Sequence, residues 1–227
     1  LLGRATAVAF EVERLEQSGI ATLTPSDPAY PRHLRDRLGT RAPPVLHAAG
    51  AVGLLGDPGL GLVGCGATAP PELRVALEGL GLPLVHCEGH GPDGVCLVAE
   101  PLVRTLRRPE IRRAIYRGST VVCTPYGPDT PFSSARATGL QPLIHGLSRV
   151  TLVVSCEPGT GDAWLGAIAA LDGGYGKVAV WRGAGAGAGD HAGNERLEAR
   201  GAVGVASTGD LEALLRSPGG SLPTGSP

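Results

Sequence analysis

Short apolar runs recur along the chain, and amphipathic or glycine-rich stretches separate most of them. The runs are continuous rather than alternating, which is typical of parallel strands that are buried on both faces. They predict core strands over residues 59–65, 82–87, 95–99, 120–124, 150–155 and 178–181.

Helical patterns fill most of the intervals between these strands. Apolar residues at helical spacing and short polar or proline starts predict helices over residues 6–17, 30–38, 70–78, 109–117, 133–147, 164–171, 195–200 and 210–216. Alternating strands and helices predict an α/β fold, a Rossmann-like parallel sheet with helices on both faces and a short N-terminal helical extension. Residues 1–50 form the predicted extension and connector, 51–216 the core, and 217–227 a flexible tail.

One interval is too short for this scheme. Only residues 88–94 separate the run that ends at Cys87 from the run that begins at Val95. A parallel crossover usually needs a dozen or more residues. Three alternatives follow: the two runs pair antiparallel, one of them is not a sheet strand, or a crossover helix has been lost.

The composition of the chain argues against several classes of protein. The 227 residues carry a net charge of −1, which argues against a uniformly basic nucleic-acid binder. There is no apolar run long enough to span a membrane and no secretory signal pattern, so we expect a cytoplasmic protein without a membrane partner. The five cysteines contain no Cys-x-x-Cys pair, so we expect reduced thiols, no metal site and no cofactor.

Two glycine turns follow predicted strands and are the best candidates for a binding site. One is Gly64-Cys65-Gly66; the other is Gly159-Thr160-Gly161-Asp162, which opens the helix that bears Trp164. Ligands of parallel sheets bind beyond the carboxyl ends of the strands, and helix N-termini favour anions such as phosphate.

A second candidate is a cluster of arginines around the helix predicted over residues 109–117. They are predicted to form a nucleic-acid strip that consists of Arg104, Arg107, Arg108, Arg112 and Arg113. A solvated helix face without any ligand is the interpretation that the pattern itself favours, because such charged faces are common.

The ordered series of motifs resembles the DNA-processing protein A (DprA/Smf) family from about Ser26 to Leu215. The matching segments are Asp27-Pro28-Ala29-Tyr30-Pro31, Pro43-Pro44-Val45-Leu46, Val63-Gly64-Cys65-Gly66, Ala99-Glu100-Pro101-Leu102, Thr124-Pro125-Tyr126-Gly127-Pro128, Trp164-Leu165-Gly166-Ala167 and Gly193-Asn194. The resemblance implies a Rossmann-like core, single-stranded DNA or a nucleotide as ligand, a homodimer, and a RecA-type recombinase as partner.

The resemblance also implies which residues border the ligand. These are Gly64, Cys65, Gly66, Gly139, Gln141, Gly159, Thr160, Gly161, Asp162, Trp164, Gly193 and Asn194. Relatives carry Gly-Ser-Arg where this chain has Gly64-Cys65-Gly66, and Gly-Arg-Asn where it has Gly139-Leu140-Gln141. Both family arginines are therefore absent, and Asp162 adds a negative charge that competes with phosphate.

Three functions are compatible with these residues. The first is a non-catalytic DprA-like protein that binds single-stranded DNA or a nucleotide during DNA processing, uptake or recombination. The second is a degenerate relative kept as a scaffold or small-nucleotide sensor. The third is a nucleoside monophosphate phosphoribohydrolase of the "lonely guy" type, which is disfavoured because no glutamate follows Asp162 on the helix as far as Leu171.

Overall fold

The structure of the protein is a computed structural model that describes residues 2–64, 73, 77, 79–87, 93–183 and 191–217. Several predicted features lie outside these residues: Cys65 and Gly66 of the first glycine turn, most of the helix predicted over 70–78, and the tail beyond residue 217. Within them, no helix is both long and apolar enough to cross a membrane.

The described strands form one mixed sheet. They are β1 (Ala21–Leu23), β2 (Leu46–Gly50), β3 (Gly59–Val63), β4 (Leu84–Cys87), β5 (Gly94–Leu97), β6 (Thr120–Thr124), β7 (Ser148–Val153), β8 (Lys177–Trp181) and β9 (Val203–Val205). Their spatial order is β1-β2-β6-β5-β4-β3-β7-β8-β9, and β3 to β9 are parallel. The predicted parallel core is thus confirmed.

The sheet also has an antiparallel edge. β1 pairs antiparallel with β2, and β2 pairs antiparallel with β6. Residues 1–50, predicted as a helical extension and connector, therefore also supply two strands to the sheet. Local pattern does not reveal this because β1 has only three residues and its partner lies more than 20 residues away.

The short connection between β4 and β5 joins two parallel strands, with Val85 opposite Val95 and His86 opposite Cys96. The antiparallel alternative and the alternative without a strand are therefore wrong. A return to the amino end of β5 within six residues is possible because the strands are so short: four-residue strands are about 10 Å long, and six residues can span about 20 Å. His86 is fully buried, and its Nε2 lies 3.0 Å from the Asp93 carbonyl oxygen, which ties β4 to this return.

Helices cover both faces of the sheet. The described helices are α1 (Leu2–Gln17), α2 (Arg32–Leu38), α3 (Leu102–Thr105), α4 (Pro109–Tyr116), α5 (Ser134–Gly139), α6 (Gln141–Leu147), α7 (Gly161–Gly173), α8 (His191–Glu198) and α9 (Thr208–Arg216). Apolar residues of α2, α6, α7 and α8 pack on one face, and those of α1, α3, α4 and α9 on the other. Alternate strand residues such as Val95 and Cys96 join opposite layers, as the pleat requires.

The single helix predicted over residues 133–147 is two helices. Ser133 caps α5 by accepting a hydrogen bond from the Arg136 amide, and α6 begins at Gln141 with Pro142 in its first turn. Proline has no amide hydrogen to continue a preceding helix but fits the first turn of a new one. The helix is therefore interrupted at Leu140, which is buried in the core.

Candidate nucleic-acid interface

The strand order reverses between β3 and β7. These two strands are parallel neighbours, yet β4 to β6 lie on one side of β3 and β8 and β9 lie beyond β7. A crevice at the carboxyl ends of such neighbours is the usual ligand position in open α/β sheets. We call the ends of β3, β7 and β8, with the turn at residues 157–161, the carboxyl rim.

Gly64 closes the rim between β3 and β7. The Ser155 amide and hydroxyl both donate to the Gly64 carbonyl oxygen, at 3.1 and 2.9 Å. Gly64 has φ of +70°, and a Cβ at this position would overlap the Ser155 carbonyl oxygen. The close approach of the two strands thus requires glycine here, independently of any ligand.

The turn before α7 is open. Gly159 and Gly161 have φ of +82° and +80°, and a Cβ at either position would meet nothing within 4 Å. The Thr160 side chain makes no capping hydrogen bond to α7, and Asp162 in the first turn accepts a hydrogen bond from Thr138 Oγ1 at 2.7 Å. The Asp162 carboxylate interacts favourably with the positive end of the helix dipole and would repel an incoming anion.

Asn194 and Gly193 at the start of α8 contact the ends of β7 and β8 from within the protein. Asn194 is 1% exposed, and its Nδ2 donates to the carbonyl oxygens of Val154 and Trp181, both at 3.0 Å. The Cys156 thiol lies 3.5 Å from Asn194 Oδ1, and burial raises the pKa of this thiol to about 11. A Cβ on Gly193 would overlap the Cys156 carbonyl oxygen. These residues join the ends of β7 and β8, and their part in binding stays a prediction.

Two further predicted ligand residues, Gln141 and Trp164, pack inside the protein, and a third, Gly139, is exposed. Gln141 is 8% exposed, and a Cβ on Gly166 of α7 would lie 2.9 Å from both its Cβ and its Oε1. Trp164 is 9% exposed and belongs to the core cluster, while a Cβ on Gly139 would overlap the Tyr126 hydroxyl. The close approach of Gln141 on α6 to Gly166 on α7, and of the Tyr126 hydroxyl to Gly139, leaves no room for a side chain at either glycine.

A cavity of about 420 Å³ lies beside the end of β8. Its described lining is Arg182, Asn194, Glu195 and Glu198. The Arg182 guanidinium pairs with the Glu198 carboxylate. Two glutamates and one arginine give the described lining a net negative charge, which disfavours a phosphate.

The arginines of the predicted nucleic-acid strip lie on α3, α4 and the residues that flank them. Six arginines and one glutamate fall between Pro101 and Ser119 in a chain whose net charge is −1. Arg108 pairs with Glu100 at 2.6 Å and Arg117 with Asp93 at 2.9 Å. The other four, Arg104, Arg107, Arg112 and Arg113, are exposed and form no ion pair with any described residue.

Helix α4 turns its polar side outward. Ile111 and Ala114 are buried, whereas Arg112, Arg113 and Tyr116 are exposed. A cavity of about 570 Å³ on this side is lined by Pro109, Arg112, Arg113, Tyr116 and Arg117. We call the exposed side of residues 104–117 the arginine surface.

The arginine surface and the carboxyl rim lie largely apart. The chain leaves the carboxyl end of β5, passes through α3 and α4 and returns to the amino end of β6, where Arg117 pairs with Asp93 just ahead of β5. Only the start of this path is near the rim side of the sheet, where the Val103 amide donates to the Pro128 carbonyl oxygen at 3.3 Å. Arg112 and Arg113 therefore do not face the glycine turns.

Known structures agree with this architecture. The chain is similar to DNA processing protein A (DprA) from Streptococcus pneumoniae, with a TM-score of 0.67 and 20% identity over 88% of this chain and 77% of that one. It is also similar to DNA processing protein A from Helicobacter pylori, with a TM-score of 0.63 and 16% identity over 87% and 96% of the two chains. The chain has a DprA-like fold. No family profile and no curated protein sequence matches it.

The DprA-like chain departs from the expected DprA site at a buried position. Leu140 stands where the motif resemblance expects an arginine, and it is 1% exposed within the core cluster. A charged guanidinium is rarely tolerated at such a site without a partner. The core cluster holds an apolar side chain at this position.

Sequence reasoning missed one prominent residue of the DprA-like chain. Tyr116 is 94% exposed at the end of α4 and lines the cavity of the arginine surface. Its spacing of three and four residues from Arg113 and Arg112 places it beside them on a helix, and that spacing is readable from the sequence. Among the described residues, no group of three or more His, Cys, Asp or Glu side chains is placed to hold a metal ion.

Proposed function

We propose that this protein binds single-stranded DNA in a DprA-like DNA-processing role and that it does so without catalysing a reaction. The fold supports this role, since one protein of similar structure, DNA processing protein A from Helicobacter pylori, has a single-stranded DNA binding mode that is described as unique. The observation that carries the proposal is the arginine surface, where four exposed arginines have no ion-pair partner among the described residues.

The arginine surface supplies most of the affinity in this proposal, and the carboxyl rim supplies less. At the rim, Asp162 and the two cavity glutamates bring negative charge, and Asn194 and Gln141 are buried. Arginines without protein partners lose little when they engage phosphate, because no existing ion pair has to break. The main-chain amides around Gly159 and Gly161 form the secondary contact of the proposal.

The proposal has a quantitative consequence for salt dependence. Each phosphate contact to a single strand contributes a slope of about −0.7 to log affinity against log salt. Four contacts give a slope of about −2.8, which corresponds to an affinity loss of about 50-fold between about 50 and about 200 mM salt.

Fluorescence anisotropy with a labelled thymidine oligonucleotide tests the proposal. The double variant Arg112→Gln with Arg113→Gln should bind more weakly and with a slope smaller by about 1.4. The matched control is Arg200→Gln with Arg216→Gln, which removes the same charge from exposed positions of the β8–β9 side. Absence of binding at low salt, or equal losses in the two double variants, would refute the proposal.

The DprA-like role extends to assembly. We propose that two copies pair and that the DNA passes to a RecA-type recombinase, as the family resemblance implies. Light scattering after size-exclusion chromatography tests the pairing, and co-sedimentation with a RecA-type recombinase on single-stranded DNA tests the transfer. A monomer at micromolar concentration would contradict the first part, and unchanged recombinase loading would contradict the second.

A further inference from the structure

Tyr116 has an unusual environment for an aromatic residue. It is the last residue of α4 and 94% exposed, although burying such a side chain normally contributes substantially to stability. The neighbouring Ile111 of the same helix is 5% exposed, so α4 already has a buried apolar side that excludes Tyr116.

The surroundings of Tyr116 are basic on its own side of the helix. Arg112 and Arg113 precede it by four and three residues, which puts their Cβ atoms about 5–6 Å from its own. Glu110, the one acidic residue of α4, falls about 120° away round the helix at 3.6 residues per turn. The aromatic ring is thus flanked by positive and not negative side chains of α4.

The cavity at this position has the size of a small ligand site. Its volume of about 570 Å³ lies inside the range of roughly 300–1,000 Å³ that is typical of such sites. Pro109 at one end and Arg117 at the other complete its described lining. Proline and the tyrosine ring offer apolar surface, and three arginines, of which Arg117 is paired with Asp93, complete the lining.

We infer that Tyr116 is a base-stacking platform and that this cavity holds one nucleotide unit of single-stranded DNA, with Arg112 and Arg113 on its phosphates. The inference rests on the proposed function and names its specificity site. An exposed ring with two arginines one helical turn before it offers partners for the two parts of a single strand, a free base face and a charged backbone. A duplex hides its base faces in the stack, so the same site discriminates against double-stranded DNA.

The test compares two ligands and two Tyr116 variants. Anisotropy is measured with a labelled thymidine oligonucleotide and with an abasic strand of equal length, which keeps the phosphates and lacks the bases. Tyr116→Ala should weaken thymidine-strand binding by about 5- to 150-fold, the range for one base stacked on an aromatic ring. Tyr116→Phe keeps the ring and should stay within about two-fold of the wild type.

On the abasic strand, Tyr116→Ala should bind like the wild type, whereas the Arg112→Gln and Arg113→Gln double variant should be weakened on both strands. Phe10→Ala is the matched aromatic control, since Phe10 is 67% exposed on α1, and it should bind both strands normally. Because Tyr116 is exposed, the Tm of Tyr116→Ala should equal that of the wild type, which excludes unfolding as the cause.

The outcomes separate the inference from the proposed function. Arginine-dependent binding that Tyr116→Ala leaves unchanged would overturn the stacking site and leave DNA binding intact. An equal loss on the abasic strand, or an equal loss in Phe10→Ala, would also overturn the stacking site. Absence of binding to either strand at low salt would overturn the proposed function itself and the inference with it.

Discussion

Replacing Asn194 by alanine should destabilise the protein strongly and leave the DNA-binding surface unaltered. The Asn194 amide donates to the carbonyl oxygens of Val154 and Trp181 at 3.0 Å each, and the residue is 1% exposed. Alanine removes both hydrogen bonds of an almost fully buried side chain, so the two carbonyl groups lose this partner.

The size of the effect follows from these two bonds. A buried polar group without its partner costs about 1–3 kcal/mol, so two of them predict a loss of about 2–6 kcal/mol in the free energy of unfolding. Typical domains have only about 5–15 kcal/mol in total, so such a loss is readily measured.

An isosteric variant sharpens the prediction. Asn194→Asp replaces the amide donor by an oxygen that faces the same two carbonyl oxygens, which raises the pKa of the new carboxyl group in the folded state. The unfolded chain then releases this proton first as the pH rises, so the folded state binds more protons and stability falls with pH. The deficit of Asn194→Asp should therefore grow from about pH 4 to about pH 8.

Urea unfolding followed by tryptophan fluorescence measures these values, since Trp164 and Trp181 both lie near the rim. Glu195→Ala is the control: it alters the next residue, whose side chain is exposed, and should change stability by less than about 0.5 kcal/mol. Equal midpoints for Asn194→Ala and Glu195→Ala would refute the structural role. Unchanged stability with lost DNA affinity would instead show that Asn194 contacts the ligand directly.

Two further predictions concern stability. Gly64→Ala should cost about 1–3 kcal/mol more than Gly159→Ala, because both have positive φ but only the Cβ at Gly64 meets Ser155; equal Tm values would contradict this. His145 is buried without a partner for either ring nitrogen among the described residues, and burial lowers its pKa from 6.5 to about 4. As the pH falls, the unfolded state binds the proton of His145 before the folded state does. Between about pH 6.5 and pH 4 the wild type should therefore lose up to about 3 kcal/mol more stability than His145→Leu. Urea midpoints of the two proteins that change in parallel with pH would exclude this.

Much of the fold was readable from local pattern. The strand predicted over residues 120–124 is β6 with the same ends, and the helix predicted over 109–117 is α4 to within one residue. Both succeed because burial on two faces demands a continuous apolar run, and a helix that covers a sheet demands apolar residues at helical spacing. These requirements act on neighbours in the chain, so the sequence expresses them directly.

Pairing and position were decided only by the tertiary structure. The antiparallel edge at β2 and the buried hydrogen bonds of Asn194 join residues that are distant in sequence. The parallel pairing of β4 with β5 depends instead on how short these two strands are. The sequence also predicted the arginine cluster and the glycine turns as candidate binding sites. It did not show that Arg112 and Gly159 lie on different sides of the molecule. Periodicity reports which residues are buried, whereas the choice of neighbours depends on contacts that form only when the whole sheet assembles.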